Sequence, residues 1–265
     1  MDSKKKEQLV KELYEKYPYP SRMDSTNEKL ESFALWVAKI INKDNSFWKD
    51  KEVLELGCGT GELSVGLALS GAKVTAIDFS NSSIKKATQL ADKKCKTNKP
   101  QYFIKNILEL KENEFEKKFD LVIALGSLHH TIDAKKGFIL GCSQLKQNGI
   151  IVIGLYNKYS RARHRMKRVL VRILAGNNIE KRIKLGELFF NKKTPKERIA
   201  DKFGQVHESY HSISEIQKWF KEQNIEFIGS KPTYTIPRID ELKWLIQKKN
   251  AFFVMSGRLK DTKKK

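Results

Sequence analysis

No apolar run in this 265-residue sequence reaches the roughly 20 residues that a membrane-spanning helix needs. The longest, "LVIALGSL" at 121–128 and "IIVIGLY" at 150–156, suit buried strands instead. The start, "MDSKKKEQLV", is charged and lacks the apolar stretch of a secretory signal. Cysteine is scarce. Cys58, Cys95 and Cys142 form no spaced pair, so reduced thiols are expected rather than a disulfide framework. We therefore expect a cytoplasmic protein. Internal repeats and Gly/Ser- or Pro-rich linkers are also missing, and the length suits one large domain, alone or with additions.

Positive charge is abundant. Lys and Arg number 52 against 31 Asp and Glu, a formal net charge of +21. Such an excess points to an anionic partner, nucleic acid or a membrane surface, or to a general lysine-rich habit. Its distribution is uneven: residues 158–198 hold 14 basic residues and three acidic ones, Glu180, Glu187 and Glu197. Apolar residues at 40% suffice for a real core.

The chain opens with helical spacing over 5–17 (Leu9, Val10, Leu13, Tyr14, Tyr17), broken by the prolines of "YPYPSR". A second helix is predicted at about 27–42. From there strands and helices alternate. "EVLEL", "KVTAID", "QYFI", "FDLVIAL" and "GIIVIGLY" read as strands. Helices are predicted after the first two, the second capped by Ser80 and running to about Lys96, and at 134–146. This order predicts an α/β fold, a Rossmann-like doubly wound, mostly parallel sheet. Residues 158–204 interrupt it with basic helix. "SISEIQKWF", with Ser212 and Glu215 in a capping-box pattern, restores order. A helix at "RIDELKWLIQ" then lies between two last strands, "IEFIGS" and "AFFVMSG". We expect an N-terminal helical extension at 1–45, a core at 46–157 and 205–260, and a basic insertion at 158–204.

The stretch "VLELGCGTGELS", 53–64, carries the chemistry. A strand turns sharply into a helix through Gly57, Gly59 and Gly61, which leave room for a ligand against the backbone. The helix N-terminus favours a negative group there: the pyrophosphate of a dinucleotide or the carboxylate of S-adenosylmethionine. Two details favour the second. The spacing is G-x-G-x-G rather than G-x-G-x-x-G. Glu55, two residues earlier, would repel pyrophosphate but suit a sulfonium and an ammonium. Asp78, ending the second strand, can accept hydrogen bonds from ribose, which both ligands carry.

"VLELGCGTG" followed by "VTAIDFS" resembles the first two motifs of the class I S-adenosylmethionine-dependent methyltransferases. "FDLVIALGSLHHT" and "LKQNGIIVIGLYN" resemble later motifs of their broad small-substrate branch. The resemblance covers about 50–157, with weaker likeness at 205–258. It implies a seven-stranded sheet with an antiparallel edge, and S-adenosyl-L-methionine as cofactor. It also implies that Gly57, Gly59 and Gly61 lie along that cofactor, with Asp78 on ribose and Phe79 packed on adenine. Where the family often has an acid for the adenine amine, Asn106 offers an uncharged amide oxygen, and the Ile107 backbone can meet the ring. Leu125 ends the fourth strand at the ligand face. From "SLHHT" the resemblance implies a small or lipid-like methyl acceptor. An RNA acceptor and a non-catalytic nucleic-acid adaptor are the alternatives. The Asn-Pro-Pro-Tyr motif of amino-methylating nucleic-acid enzymes is missing.

His129 and His130 follow the fourth strand and are candidates for a general base or for shaping the pocket. "HESYH", 207–211, fits the H-E-x-x-H zinc pattern, but that pattern needs a helix and Ser212 starts one only afterwards. We expect a loop there and no metal. The first helix of the basic insertion is amphipathic: Met166, Val169, Leu170, Ile173 and Leu174 share one face, and Arg161, Arg165, Arg168 and Arg172 another. We expect a lid, apolar face down over the substrate. The arginines on RNA phosphates, or the helix on an anionic membrane, are the alternatives.

Overall fold

The computed structural model describes residues 3–18 and 23–260. Helices α1 (Ser3–Lys16) and α2 (Asn27–Ile40) precede the sheet. The break predicted at "YPYPSR" falls mainly on 19–22, outside the described residues. The core then runs β1 (Glu52–Leu56), α3 (Glu62–Leu69), β2 (Lys73–Asp78), α4 (Asn81–Lys94), β3 (Gln101–Ile104), β4 (Phe119–Leu125), α5 (Ala134–Ser143) and β5 (Leu145–Tyr156). The insertion holds α6 (Ala162–Ala175), α7 (Ile179–Glu187), α8 (Lys196–Ile199) and a π-turn at Ala200–Gly204. The chain closes with α9 (Ile213–Glu222), β6 (Ile225–Lys231), α10 (Pro237–Gln247) and β7 (Phe252–Leu259).

The seven strands lie in the order β3-β2-β1-β4-β5-β7-β6. The first five pair in parallel, and β7 runs antiparallel between β5 and β6. Successive residues of a strand face opposite sides, and both faces are buried. Val53, Val74 and Leu121 enter a core with Leu30, Ala34 and Val37 of α2 and Val65 of α3. Leu54, Leu56 and Val122 enter the other, with Phe138 of α5 and Trp219 and Phe220 of α9. Doubly covered strands explain the near-continuous apolar runs in the sequence. The strand order reverses between β1 and β4, so a crevice opens beyond their carboxyl ends.

Three predicted helices end early, α2 at Ile40, α4 at Lys94 and α5 at Ser143. α5 ends at Ser143 rather than 146, because Leu145 already pairs with Phe119 at the start of β5. The structure also adds a third small core: Leu13 of α1 packs with Val171, Ile183, Ile199, Ala200 and Phe203 of the insertion. The N-terminal helix and the insertion, more than 150 residues apart in sequence, are thus joined to each other.

The orientation of α6 reverses the expected one. Met166, Val169, Leu170, Ile173 and Leu174 are all at least half exposed. Val171 and Ala175 point inward instead. Of the arginines, Arg161 and Arg168 are held against the body, while Arg165 and Arg172 stay exposed. Glu208, almost wholly buried, accepts from Arg161 Nη2 at 2.7 Å and also pairs with Arg168. Arg172 donates to the Val206 carbonyl at 2.9 Å. A buried carboxylate needs cations, and these two guanidinium groups supply them.

Candidate active site

The turn after β1 places Gly57, Gly59 and Gly61 in left-handed conformations, with φ of 77°, 54° and 86°. A side chain at Gly57 would strike the Ser127 Cβ, 2.3 Å from an ideal Cβ position. At Gly59 nothing lies within 4 Å, so this backbone faces open space. Asp78 holds the turn: one carboxylate oxygen accepts from the Gly59 amide and the other from the Ser80 amide, both at 2.9 Å. The sequence reading did not foresee this clamp.

The open space is a cavity of about 530 Å³. Glu55, Gly57, Gly59, Asp78, Phe79, Asn106, Ile107 and Leu125 all line it, whereas Gly61 does not and packs against Ala87 and Tyr102. Glu55 is buried and accepts a hydrogen bond from Ser64. Burial pushes its carboxyl from an ordinary 4.5 up to about 8, against the Ser64 bond and aided by Glu62 and Asp78. Burial also raises Asp78. Two buried carboxyls with raised affinity for protons make a site that favours a cation. The bare Gly59 backbone and these acceptors fit the cationic, ribose-bearing ligand expected from the sequence. Asn106 is also engaged within the protein. Its amide oxygen already accepts from Leu108 N at 3.0 Å, capping a short 3₁₀ turn, and its Nδ2 donates to Glu7 at 2.6 Å.

The two histidines part company. His130 lines the cavity; His129 does not, and its ring lies 3.8 Å from that of Tyr156, centroid to centroid. Burial lowers both pKa values, His129 the more strongly, so both are neutral near pH 7. His130 Nε2 is 3.7 Å from an Asp201 carboxylate oxygen. The same oxygen accepts from Tyr14 Oη at 3.0 Å. His130 Nδ1 is buried and has no hydrogen bond among the described residues.

Several lining residues were not read from the sequence: Glu7, Val10 and Tyr14 of α1, and Arg198, Asp201 and Lys202 of the insertion. The helical pattern of α1 was plain, but nothing local says which part of the core a helix covers.

The "HESYH" segment is coil rather than helix. Glu208 is taken by two arginines. His211 uses both ring nitrogens, one on Glu215 at 2.9 Å and one on Ser209 at 2.8 Å. Among the described residues no three His, Cys, Asp or Glu side chains are grouped to hold a metal ion. No helix there is long and apolar enough to cross a membrane.

A family model described as a methyltransferase domain matches residues 48–227. The ubiquinone biosynthesis O-methyltransferase of Rickettsia canadensis is 39% identical over 129 residues, 46% of this chain and 51% of that protein. Its counterpart from Rickettsia prowazekii is 37% identical over 127 residues, 46% of this chain and 48% of that one. The chain thus spans about half the length of the curated relatives it matches. Among solved structures, the magnesium protoporphyrin IX methyltransferase of Synechocystis PCC 6803 with bound S-adenosylmethionine superposes with a TM-score of 0.57. It has 16% identity and covers 97% of both chains. PKMT2 from Rickettsia typhi with AdoHcy gives 0.58 at 14% identity, covering 93% of this chain and 55% of that one. At these identities the structural likeness speaks for fold alone.

Proposed function

Because the chain belongs to the methyltransferase domain family of S-adenosylmethionine-dependent class I enzymes, we propose that it methylates a hydroxyl oxygen of a small acceptor. The observation that carries this reading is that one cavity is lined by the glycine turn, Glu55 and Asp78 and also by His130, which sits beside Asp201. The relatives described as O-methyltransferases support oxygen as the atom methylated.

When bound, S-adenosylmethionine supplies a methyl carbon on a positively charged sulfur, open to in-line attack and leaving a neutral thioether. The chain's own residues do the rest. The Gly59 backbone and Asp78 position the nucleoside end. Glu55, ionised beside a cation, holds the charged end. His130, neutral and part of the cavity wall, serves as the base that takes the acceptor's hydroxyl proton as the new C–O bond forms. Asp201 faces the resulting imidazolium across 3.7 Å. Tyr14 fixes Asp201 by its hydrogen bond.

The buried engagement of Arg161 and Arg168 weakens the alternative in which the arginine face holds RNA, since those guanidinium groups are no longer free for phosphates. A pure adaptor has no use for a buried His–Asp pair beside the cofactor end. The test is transfer of labelled methyl to a panel of hydroxylated small molecules, with RNA alongside. His130→Asn should lower kcat by about 10²–10⁴-fold and leave S-adenosylmethionine affinity nearly unchanged. Label entering RNA, or full turnover by the variant, would contradict the proposal.

A further inference from the structure

Helix α6 turns outward the face that a globular protein normally buries. Met166, Val169, Leu170, Ile173 and Leu174 are 72, 57, 50, 73 and 65% exposed. Their spacing, three then one residue in turn, sets them along one continuous stripe. At 100° per residue, Arg163 and Lys167 lie along one edge of it and Arg165 along the other. The stripe continues onto the end of α7. Lys167 Nζ sits 4.9 Å over the Phe189 ring, and the neighbouring Leu188 is 79% exposed. The clasp of Arg161 and Arg168 on Glu208 fixes this orientation from behind.

We infer that this face docks the protein on an anionic lipid surface. Charge complementarity selects the occupant. The chain carries +21, and residues 158–198 hold 14 basic against three acidic side chains. A second copy would bring the same cations to the stripe and be repelled. An RNA would meet the cations but leave five large apolar side chains in water. An anionic bilayer meets both needs: the apolar side chains enter the acyl boundary, and the flanking Lys and Arg extend to headgroup phosphates. With 14 residues, α6 lies in the interface and does not span it. The same insertion gives Arg198, Asp201 and Lys202 to the cavity wall. On the methyltransferase reading, docking therefore holds at the membrane the same insertion that contributes to the cavity wall.

The test needs neither cofactor nor turnover, so its outcome is separate from that of the methyl-transfer assay. The purified chain is sedimented with vesicles of phosphatidylcholine alone or mixed with phosphatidylglycerol. Wild type should partition onto the mixed vesicles and not onto the neutral ones. The triple variant Met166→Gln/Ile173→Gln/Leu174→Gln, all at exposed positions, should lose partitioning by at least about a hundredfold with unchanged circular dichroism and Tm. Arg163→Gln/Lys167→Gln should lose about thirtyfold and show less salt dependence. The inference is overturned if wild type stays in solution, if it binds both vesicle types alike, or if the triple variant binds as wild type. Two further results overturn it when vesicles recruit nothing: a dimer that the triple variant dissociates, and RNA binding that the charge variant abolishes.

Discussion

Glu55→Gln probes the cationic end of the cavity most sharply. In the ligand-free protein burial holds the Glu55 carboxyl at about 8, against an ordinary 4.5. The folded state therefore binds this proton more tightly than the unfolded chain does. The stabilisation is complete below pH 4.5 and is lost as pH rises through about 8. Each unit of difference corresponds to 1.36 kcal/mol. The gap of about 3.5 units thus sets a ceiling of about 5 kcal/mol on the decline across that window. Gln cannot ionise and removes it. Other buried groups titrate too, and the lowered His129 and His130 act with the opposite sign. The difference between wild type and Glu55→Gln isolates the one carboxyl. Urea unfolding at intervals from pH 5 to 8.5 measures it. A cation bound beside the carboxylate should release the proton, so S-adenosylmethionine binding near pH 6.5 should expel close to one proton in wild type and none in the variant. Calorimetry in buffers of different ionisation enthalpy counts it. Parallel stability profiles for the two proteins, or equal proton release, would refute the reasoning.

Asp78→Ala should weaken cofactor binding by about 1–3 kcal/mol in an equilibrium titration, since it removes an acceptor that also clamps the Gly59 amide. Glu208→Gln leaves two buried guanidinium groups without a counter-charge. It should lower the urea midpoint by an amount equivalent to about 3–5 kcal/mol, read by circular dichroism. The Glu208 pKa is low although burial raises it, because Arg168 and Arg161 outweigh that effect. The wild-type clasp should accordingly loosen only in acid.

The sheet was legible because its strands are covered on both sides and so read as apolar runs, and because the glycine turn has a spacing that few other structures require. Helix ends were less so. Nothing in "GCSQLKQNG" says that Leu145 leaves the helix to pair with Phe119. The orientation of α6 was not legible at all. An amphipathic helix has two faces, and the usual assumption buries the apolar one. Glu208, 40 residues beyond Arg168, settles the matter by drawing Arg161 and Arg168 inward. The same limit hid the part of the cavity wall that α1 and the insertion supply. Asp201 meets Tyr14 across 187 residues of sequence, and no local pattern marks either as a partner. The "HESYH" segment, by contrast, was legible as a loop, because the capping pattern at Ser212 starts the helix only after it.

The central claim is that the turn at Gly57–Gly61 cradles S-adenosylmethionine. The direct measurement is titration calorimetry of the purified chain with S-adenosylmethionine, its demethylated product and NAD, repeated on Gly59→Val. Wild type should bind the first two and not the third. The variant should bind none, because a branched side chain would fill the open space at Gly59 in a backbone conformation with φ of 54°. Tight NAD binding with neither of the other two, or a Gly59→Val protein that binds S-adenosylmethionine like wild type, would contradict the account.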